Sequence, residues 1–175
     1  MLEIDIQKRL RDFELEVELT VAEGEILMLV GDNGCGKTTL LNLIAGLLNP
    51  DTGRIIQDGK TLFDSTLKIN VAPEARNIGY VFQNYALFPH MSIHENVAFG
   101  IRTRKILKKE IDYLVRDHLE AAGLWEIRKE KAKDISGGQK QRVALARALI
   151  IEPTLLLARR TSTSPRRSQA GSHAK

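Results

Sequence analysis

A glycine-rich loop between an apolar run and a helical pattern is the feature that most restricts how this chain folds. Residues 31–38 read Gly-Asp-Asn-Gly-Cys-Gly-Lys-Thr, which matches the pattern G-x-x-x-x-G-K-[ST]. The preceding residues, Ile26–Val30, are all apolar and predict a strand buried on both faces, and Thr39–Leu47 follow at helical spacing. This strand–loop–helix order predicts an α/β fold with a parallel sheet.

The residue types in this loop suit phosphate binding. Glycines let backbone N–H groups turn toward phosphate oxygens, and the helix that follows directs its positive end at the same anion. Lys37 would bring a positive charge to the β- and γ-phosphates, and the Thr38 hydroxyl would ligate Mg²⁺. An ordinary glycine-rich turn is the alternative, and Cys35 is interpreted as a small filler residue rather than a reactive thiol. The predicted nucleotide-binding residues are Gly31, Asp32, Asn33, Gly34, Cys35, Gly36, Lys37, Thr38 and Thr39.

Residues before the loop alternate between apolar and polar side chains. Phe13, Leu15, Val17, Leu19 and Val21 are separated by Glu and Thr residues, which predicts a strand with one solvated face. Phe13 is in phase with the apolar positions of this strand. The pattern therefore assigns the Phe13 side chain to the core.

Patterns after the loop predict the remaining elements. The Asp58-Gly59 turn indicates a small hairpin, and Ile78–Gln83 a further buried strand. Lys105–Gly123 and Ser136–Ile151 carry helical patterns, and Leu155–Leu157 begin another buried strand. No internal repeat is visible.

Basic charge is concentrated at the C-terminal end of the chain. The formal net charge is +4, but residues 159–175 hold five basic and no acidic side chains, which leaves 21 basic and 22 acidic residues in 1–158. This distribution disfavours specific nucleic-acid binding, and we interpret 159–175 as a disordered basic tail. One cysteine excludes an internal disulfide and fits a reducing cytosol. No uncharged apolar run reaches the roughly 18 residues that a membrane-spanning helix needs.

Three further segments resemble the ATP-binding subunits of ABC importers. Ile135–Gln139 read Ile-Ser-Gly-Gly-Gln, which is similar to the signature LSGGQ, and Tyr80–Gln83 resemble the Q-loop, with Ala86–Ser92 after it. The resemblance covers residues 1–158 and implies a P-loop NTPase (RecA-like) α/β core. An antiparallel N-terminal sheet and a helical insert would complete this fold, which would be incomplete at the C-terminus. Residues 1–83 and 136–158 would form the core and 84–135 the insert.

The resemblance also implies ligands and partners. ATP and Mg²⁺ would bind the phosphate loop, with Thr38 and Gln83 contacting the metal and Gln83 contributing to catalysis. The signature would contact the nucleotide bound to a second ATPase subunit, which would be either an identical chain or a complete copy. A membrane permease subunit would hold the pair at the cytoplasmic face of the plasma membrane. Among ABC importers, the chain most resembles the ATPases of molybdate/tungstate or sulfate importers. The signature residues are Ser136, Gly137, Gly138 and Gln139.

The sequence departs from this family after the Leu155–Leu157 strand. The family has Asp-Glu there, whereas this chain has Arg159 and Arg160, which donate hydrogen bonds and remain protonated. We therefore expect impaired ATP hydrolysis in a truncated or frameshifted importer subunit. A non-catalytic nucleotide-binding partner, a product without a stable fold and a nucleic-acid-associated ATPase stay open. The residue that stacks on adenine is unassigned, and the Leu155–Ala158 strand is expected to lack parallel neighbours.

Overall fold

A computed structural model describes residues 1–102 and 106–159. The seven strands of these ranges form two sheets, and the same ranges contain four α-helices. The strands are β1 (Leu2–Arg9), β2 (Glu14–Val21), β3 (Thr52–Gln57), β4 (Lys60–Asp64), β5 (Ile69–Asn70), β6 (Ile78–Val81) and β7 (Leu155–Ala158). The helices are α1 (Lys37–Ala45), α2 (Ile93–Ala98), α3 (Lys108–Ala121) and α4 (Gly137–Leu149).

An antiparallel sheet contains the first five strands in the order β2-β1-β3-β4-β5. The alternating strand is confirmed as β2, and the predicted hairpin as the β3–β4 pair, whose turn has positive φ angles of 50° at Asp58 and 74° at Gly59. The assignment of Phe13 to the core is wrong, because Phe13 precedes β2 and is 40% exposed. The carbonyl of Phe13 accepts a 2.9 Å hydrogen bond from the Leu10 backbone, which places Phe13 in the β1–β2 turn.

Helix α1 covers the inner face of the antiparallel sheet. Its buried Leu40, Leu43 and Ile44 belong to one core cluster with Ile4 and Ile55 of β1 and β3. The predicted helix is confirmed, although it begins two residues earlier, at Lys37, and ends at Ala45. Burial of these side chains therefore fixes the helix whose first turn follows the glycine-rich loop.

The predicted strand over Ile26–Val30 is wrong. These residues form no strand, and Ile26 and Val30 are 93% and 84% exposed. A strand needs a neighbouring strand to satisfy its N–H and C=O groups, and the described residues supply none beside this segment. The apolar run indicates that these side chains favour burial, but it does not indicate whether a neighbouring strand is present to pair with them.

Strands β6 and β7 form a separate two-stranded parallel sheet. The expectation that the last strand lacks parallel neighbours is wrong, because Ile78 pairs with Leu155 and Val81 with Ala158. The prediction of a buried strand holds for Leu157 but not for Leu156, which is exposed because only one face of β7 packs on the core.

The remaining helices form a second core cluster. Val97 of α2, Val115 and Leu119 of α3 and Val143 of α4 are fully buried in it. These helices confirm the two helical patterns predicted for this part of the chain. The division into core and insert stays a prediction, and residues 160–175 of the predicted tail lie outside the described residues. Within the described ranges, none of the helices has the length and apolar character needed to cross a membrane.

Candidate functional site

The glycine-rich loop, residues 31–38, surrounds the side chain of Lys37 with backbone carbonyl groups. The Lys37 ammonium donates hydrogen bonds of 2.6 Å to the carbonyl oxygens of both Gly31 and Asp32 and lies 3.3 Å from the Cys35 sulfur. No side chain among the described residues caps α1, and its first turn contains no acidic residue. The N–H groups of this turn therefore lack a side-chain partner, and together with the ammonium they give this end of α1 a positive potential.

Strand β2 supports the loop from below. A Cβ added at Gly36, whose φ is 96°, would lie 3.1 Å from Leu15 and 3.5 Å from the Phe13 ring. A side chain at this position would therefore be strained and crowded, which explains the glycine. The same contact puts the exposed Phe13 ring beside the phosphate loop, a position that the alternating pattern did not reveal.

An open cavity of about 550 Å³ adjoins the first turn of α1. Thr38 and Asn42 line it from the helix, Tyr80 and Gln83 from β6 and the segment after it, and Arg159 from the end of β7. Phe82 and Asn84 complete the lining. The cavity therefore brings together Thr38 and Gln83, which the sequence predicted to act together, and adds Asn42, Tyr80 and Arg159. Spacing could have indicated Asn42, which lies one helical turn after Thr38.

Hydrogen bonds fix the walls of this cavity. The Tyr80 hydroxyl lies 3.0 Å from the side-chain oxygen of Asn42, which ties β6 to α1. The Arg159 backbone N–H donates a 3.0 Å hydrogen bond to the Val81 carbonyl and extends the parallel pairing by one residue. Burial raises the pKa of Tyr80, and the nearby charge of Arg159 opposes this shift.

The donor set of the cavity does not fit a protein-held Mg²⁺ ion. This ion prefers carboxylate and other oxygen ligands in an octahedral arrangement. The described lining residues provide a hydroxyl at Thr38 and amide groups at Asn42, Gln83 and Asn84, but no carboxylate. Arg159 adds a positive charge that repels a cation. The predicted Mg²⁺ contacts of Thr38 and Gln83 thus lack the carboxylate support such a site needs.

The signature residues begin α4, and none of them lines this cavity. The Ser136 hydroxyl accepts a hydrogen bond from the Gln139 backbone at 3.3 Å, and the Gln139 side chain accepts one from the Ser136 backbone at 2.8 Å. Among residues 1–102 and 106–159, a Cβ added at Gly137 or Gly138 would meet no atom within 4 Å. The packing of the chain itself therefore does not require glycine at either position.

Helix α4 is also tied to the segment that follows Gln83. The Arg147 guanidinium donates hydrogen bonds of 2.8 Å to the carbonyl oxygens of Tyr85 and Ala86. These two residues have positive φ angles of 63° and 45°, a conformation that costs energy for non-glycine residues. Burial lowers the pKa of Arg147. Local spacing contains no signal for this link between α4 and the segment after Gln83.

A second groove, of about 430 Å³, lies on the other side of this segment. Phe82, Phe88, Phe99 and Arg147 contribute to its lining. The buried side chain of Asn96 accepts a 2.8 Å hydrogen bond from the Phe88 backbone N–H and donates one of 3.1 Å to the Phe88 carbonyl. The aromatic wall is therefore held by a satisfied buried amide.

Known proteins are similar in sequence to most of this chain. The molybdate/tungstate import ATP-binding protein WtpC of Pyrococcus horikoshii is 45% identical over 159 residues, which cover 90% of this chain and 44% of that protein. The spermidine/putrescine import ATP-binding protein PotA of Methylococcus capsulatus is 51% identical over 148 residues, 85% of this chain and 36% of that protein. The chain thus spans less than half the length of these relatives.

A solved structure shares the fold. The ATP-binding cassette MJ0796, dimeric and in a post-hydrolysis state with ADP and phosphate, superposes with a TM-score of 0.73 at 30% identity over 90% of this chain and 73% of that one. This likeness confirms the predicted α/β class. The family described as ABC transporter matches residues 15–158. On these grounds, the chain belongs to the ABC transporter family.

Proposed function

We propose that this chain is the ATP-binding, energy-coupling subunit of an ABC importer. The observation that carries the proposal is the Lys37 ammonium, held by two loop carbonyls at the uncapped start of α1. Carbonyl oxygens are weaker acceptors than phosphate oxygens, so an incoming triphosphate would take over these contacts. The backbone N–H groups of the loop and of the first turn would bind the same phosphates.

The base of the nucleotide would contact Phe13. Its ring is exposed and lies beside Gly36, next to where the phosphates would bind. Stacking of a base on an aromatic ring contributes about 1–3 kcal/mol. Phe13 is therefore the residue that we propose to stack on the adenine, which the sequence left unassigned.

A second ATPase subunit would bind against the signature. Gly137 and Gly138 lie on open surface and weaken the start of α4 compared with alanine. The two glycines thus lower the stability of the helix without improving the packing of the chain. Their presence is explained if a nucleotide on another subunit approaches this backbone closely. The partner would be a second copy of the chain or a complete subunit.

The aromatic groove beside the Q-loop segment would receive the membrane permease subunit. Phe88 and Phe99 lie 4.5 Å apart between ring centroids and present an apolar wall. Permease docking would hold the chain at the cytoplasmic face of the plasma membrane as a peripheral protein. The similarity to WtpC makes molybdate or tungstate the preferred solute, with sulfate and polyamines as alternatives found among the relatives.

ATP hydrolysis would be impaired in this chain. Arg159 follows β7 where the family has a carboxylate, and the cavity beside Thr38 contains no acidic side chain among the described residues. Phosphoryl transfer depends on positioned groups that stabilise charge and orient water, and a guanidinium does not act as a base. This favours a second function, a non-catalytic nucleotide-binding partner of a complete subunit.

Calorimetric titration of ATP into the purified chain tests the proposal. We expect saturable binding that Lys37→Ala weakens by at least about tenfold, because a charged hydrogen-bond donor is lost. Lys129→Ala, at an exposed position on another surface, is the matched control and leaves binding unchanged. Absence of binding by the folded chain, or equal binding by Lys37→Ala, contradicts the proposal. Adding a complete subunit in a turnover assay then separates the catalytic from the non-catalytic function.

A further inference from the structure

The end of β7 directs a cation into the nucleotide cavity. Val81 and Ala158 are paired in the parallel register, and Arg159 continues that pairing through its 3.0 Å hydrogen bond to the Val81 carbonyl. Gln83 follows Val81 by two residues and lines the same cavity. Pairing with β6 therefore sets the backbone position of Arg159.

The charged side chains at this cavity are all basic among the described residues. Arg159 lines it, Lys37 lies in the adjoining loop, and no described lining residue is acidic. Such a site already carries the positive charge that a triphosphate would otherwise obtain from a divalent cation.

We infer that Arg159 binds the terminal phosphate of a nucleoside triphosphate directly, so that nucleotide binding by this chain does not require a divalent cation. The inference rests on the proposed nucleotide site. A guanidinium presents planar paired donors that match two phosphate oxygens, and it stays charged at all ordinary pH values. Mg²⁺ bound to the same phosphates would stand close to Arg159 and be repelled, with no carboxylate to hold it.

Calorimetry with ATP, in EDTA and in millimolar Mg²⁺, tests this inference on the full chain. We expect binding in EDTA that is at least as tight as binding in Mg²⁺. Arg159→Ala should weaken binding in EDTA by about tenfold, and Arg159→Lys by less, because it keeps the charge but loses the paired donors. Arg54→Ala, an exposed arginine on β3, is the matched control and should change neither affinity.

A charge-reversal variant should bind ATP more tightly in Mg²⁺ than in EDTA, which is the reverse of the order expected for the parent chain. Arg159→Asp should bind ATP in Mg²⁺ but lose at least about tenfold in affinity in EDTA. Arg159 is exposed, and its structural hydrogen bond is made by the backbone, so thermal unfolding of these variants should match that of the parent chain.

The outcomes separate the inference from the proposed function. Parent binding only in Mg²⁺, or an unchanged affinity of Arg159→Ala in EDTA, overturns the inference and leaves the nucleotide site intact. Absence of binding in both solutions overturns the proposed function and the inference with it. Tight binding in EDTA that depends on Arg159 supports both.

Discussion

Arg76→Lys should destabilise the chain more than any comparable exposed substitution. Arg76 is only 3% exposed and its guanidinium lies at the C-terminal end of α1. It donates hydrogen bonds to the carbonyls of Leu43 at 3.1 Å, Ile44 at 2.8 Å and Val71 at 2.8 Å, and to the side-chain oxygen of Asn70 at 3.1 Å. The Leu43 carbonyl also accepts a 3.2 Å hydrogen bond from the Gly46 backbone, so the Ile44 and Val71 carbonyls depend most on this side chain.

The expected magnitude follows from these four acceptors. A lysine ammonium carries three donors on one nitrogen and lacks the reach of the planar guanidinium, so at least one or two acceptors lose their partner. Each buried acceptor left unsatisfied costs about 1–3 kcal/mol, so the loss of one or two partners lowers the free energy of unfolding by about 1–6 kcal/mol. Burial already lowers the pKa of Arg76, and no carboxylate offsets its charge in the described contacts.

Urea unfolding followed by circular dichroism measures this loss. We expect a lower midpoint at an unchanged slope, because the change removes stability and not buried surface. Arg142→Lys is the matched control: its guanidinium also donates to a backbone carbonyl, that of Ala122 at 2.6 Å, but it is exposed, so the cost should stay below about 0.5 kcal/mol. Equal midpoints for Arg76→Lys and the parent chain would refute the reasoning.

Three further predictions concern the site and its surroundings. Phe13→Ala should weaken ATP binding by about tenfold without lowering the melting temperature, since the exposed ring contacts the loop and not the core; unchanged affinity contradicts the stacking role. Gly138→Ala should raise the stability of α4 by up to about 0.5–1 kcal/mol and weaken ATP-dependent pairing, measured by light scattering; stronger pairing argues against the proposed approach of a nucleotide. Hydrogen bonds from the backbone and hydroxyl of Ser92 lower the pKa of Glu95 from 4.5, so its stabilising effect is present above that pH and is lost as the pH falls through the folded value. Glu95→Gln should therefore flatten the acid side of the melting-temperature profile, and an equally steep profile contradicts this.

Local patterns in the sequence predicted the elements whose partners are close in the chain. The hairpin at Asp58 and Gly59, the alternation of β2 and the helical pattern of α4 follow from turn chemistry and side-chain period, which involve only neighbouring residues. The prediction of a phosphate-binding loop is of the same local kind, because it depends only on the residue types of 31–38.

Features that depend on distant residues were not predictable in the same way. The apolar run Ile26–Val30 indicates burial, but a strand forms only where another strand accepts its hydrogen bonds. Phe13 is in phase with β2, yet the turn before the strand rotates it toward the loop. The contacts of Arg147 join residues about 60 positions apart and leave no trace in local spacing.

Direct observation of the phosphate loop on nucleotide binding tests the central claim most closely. Backbone amide NMR of the chain, titrated with ATP in EDTA, reports on the N–H groups of Gly34, Gly36, Lys37 and Thr38. We predict that these resonances shift and saturate together, and that Lys37→Ala abolishes the shifts. Shifts confined to other regions, or identical shifts in Lys37→Ala, would contradict a nucleotide site at this loop.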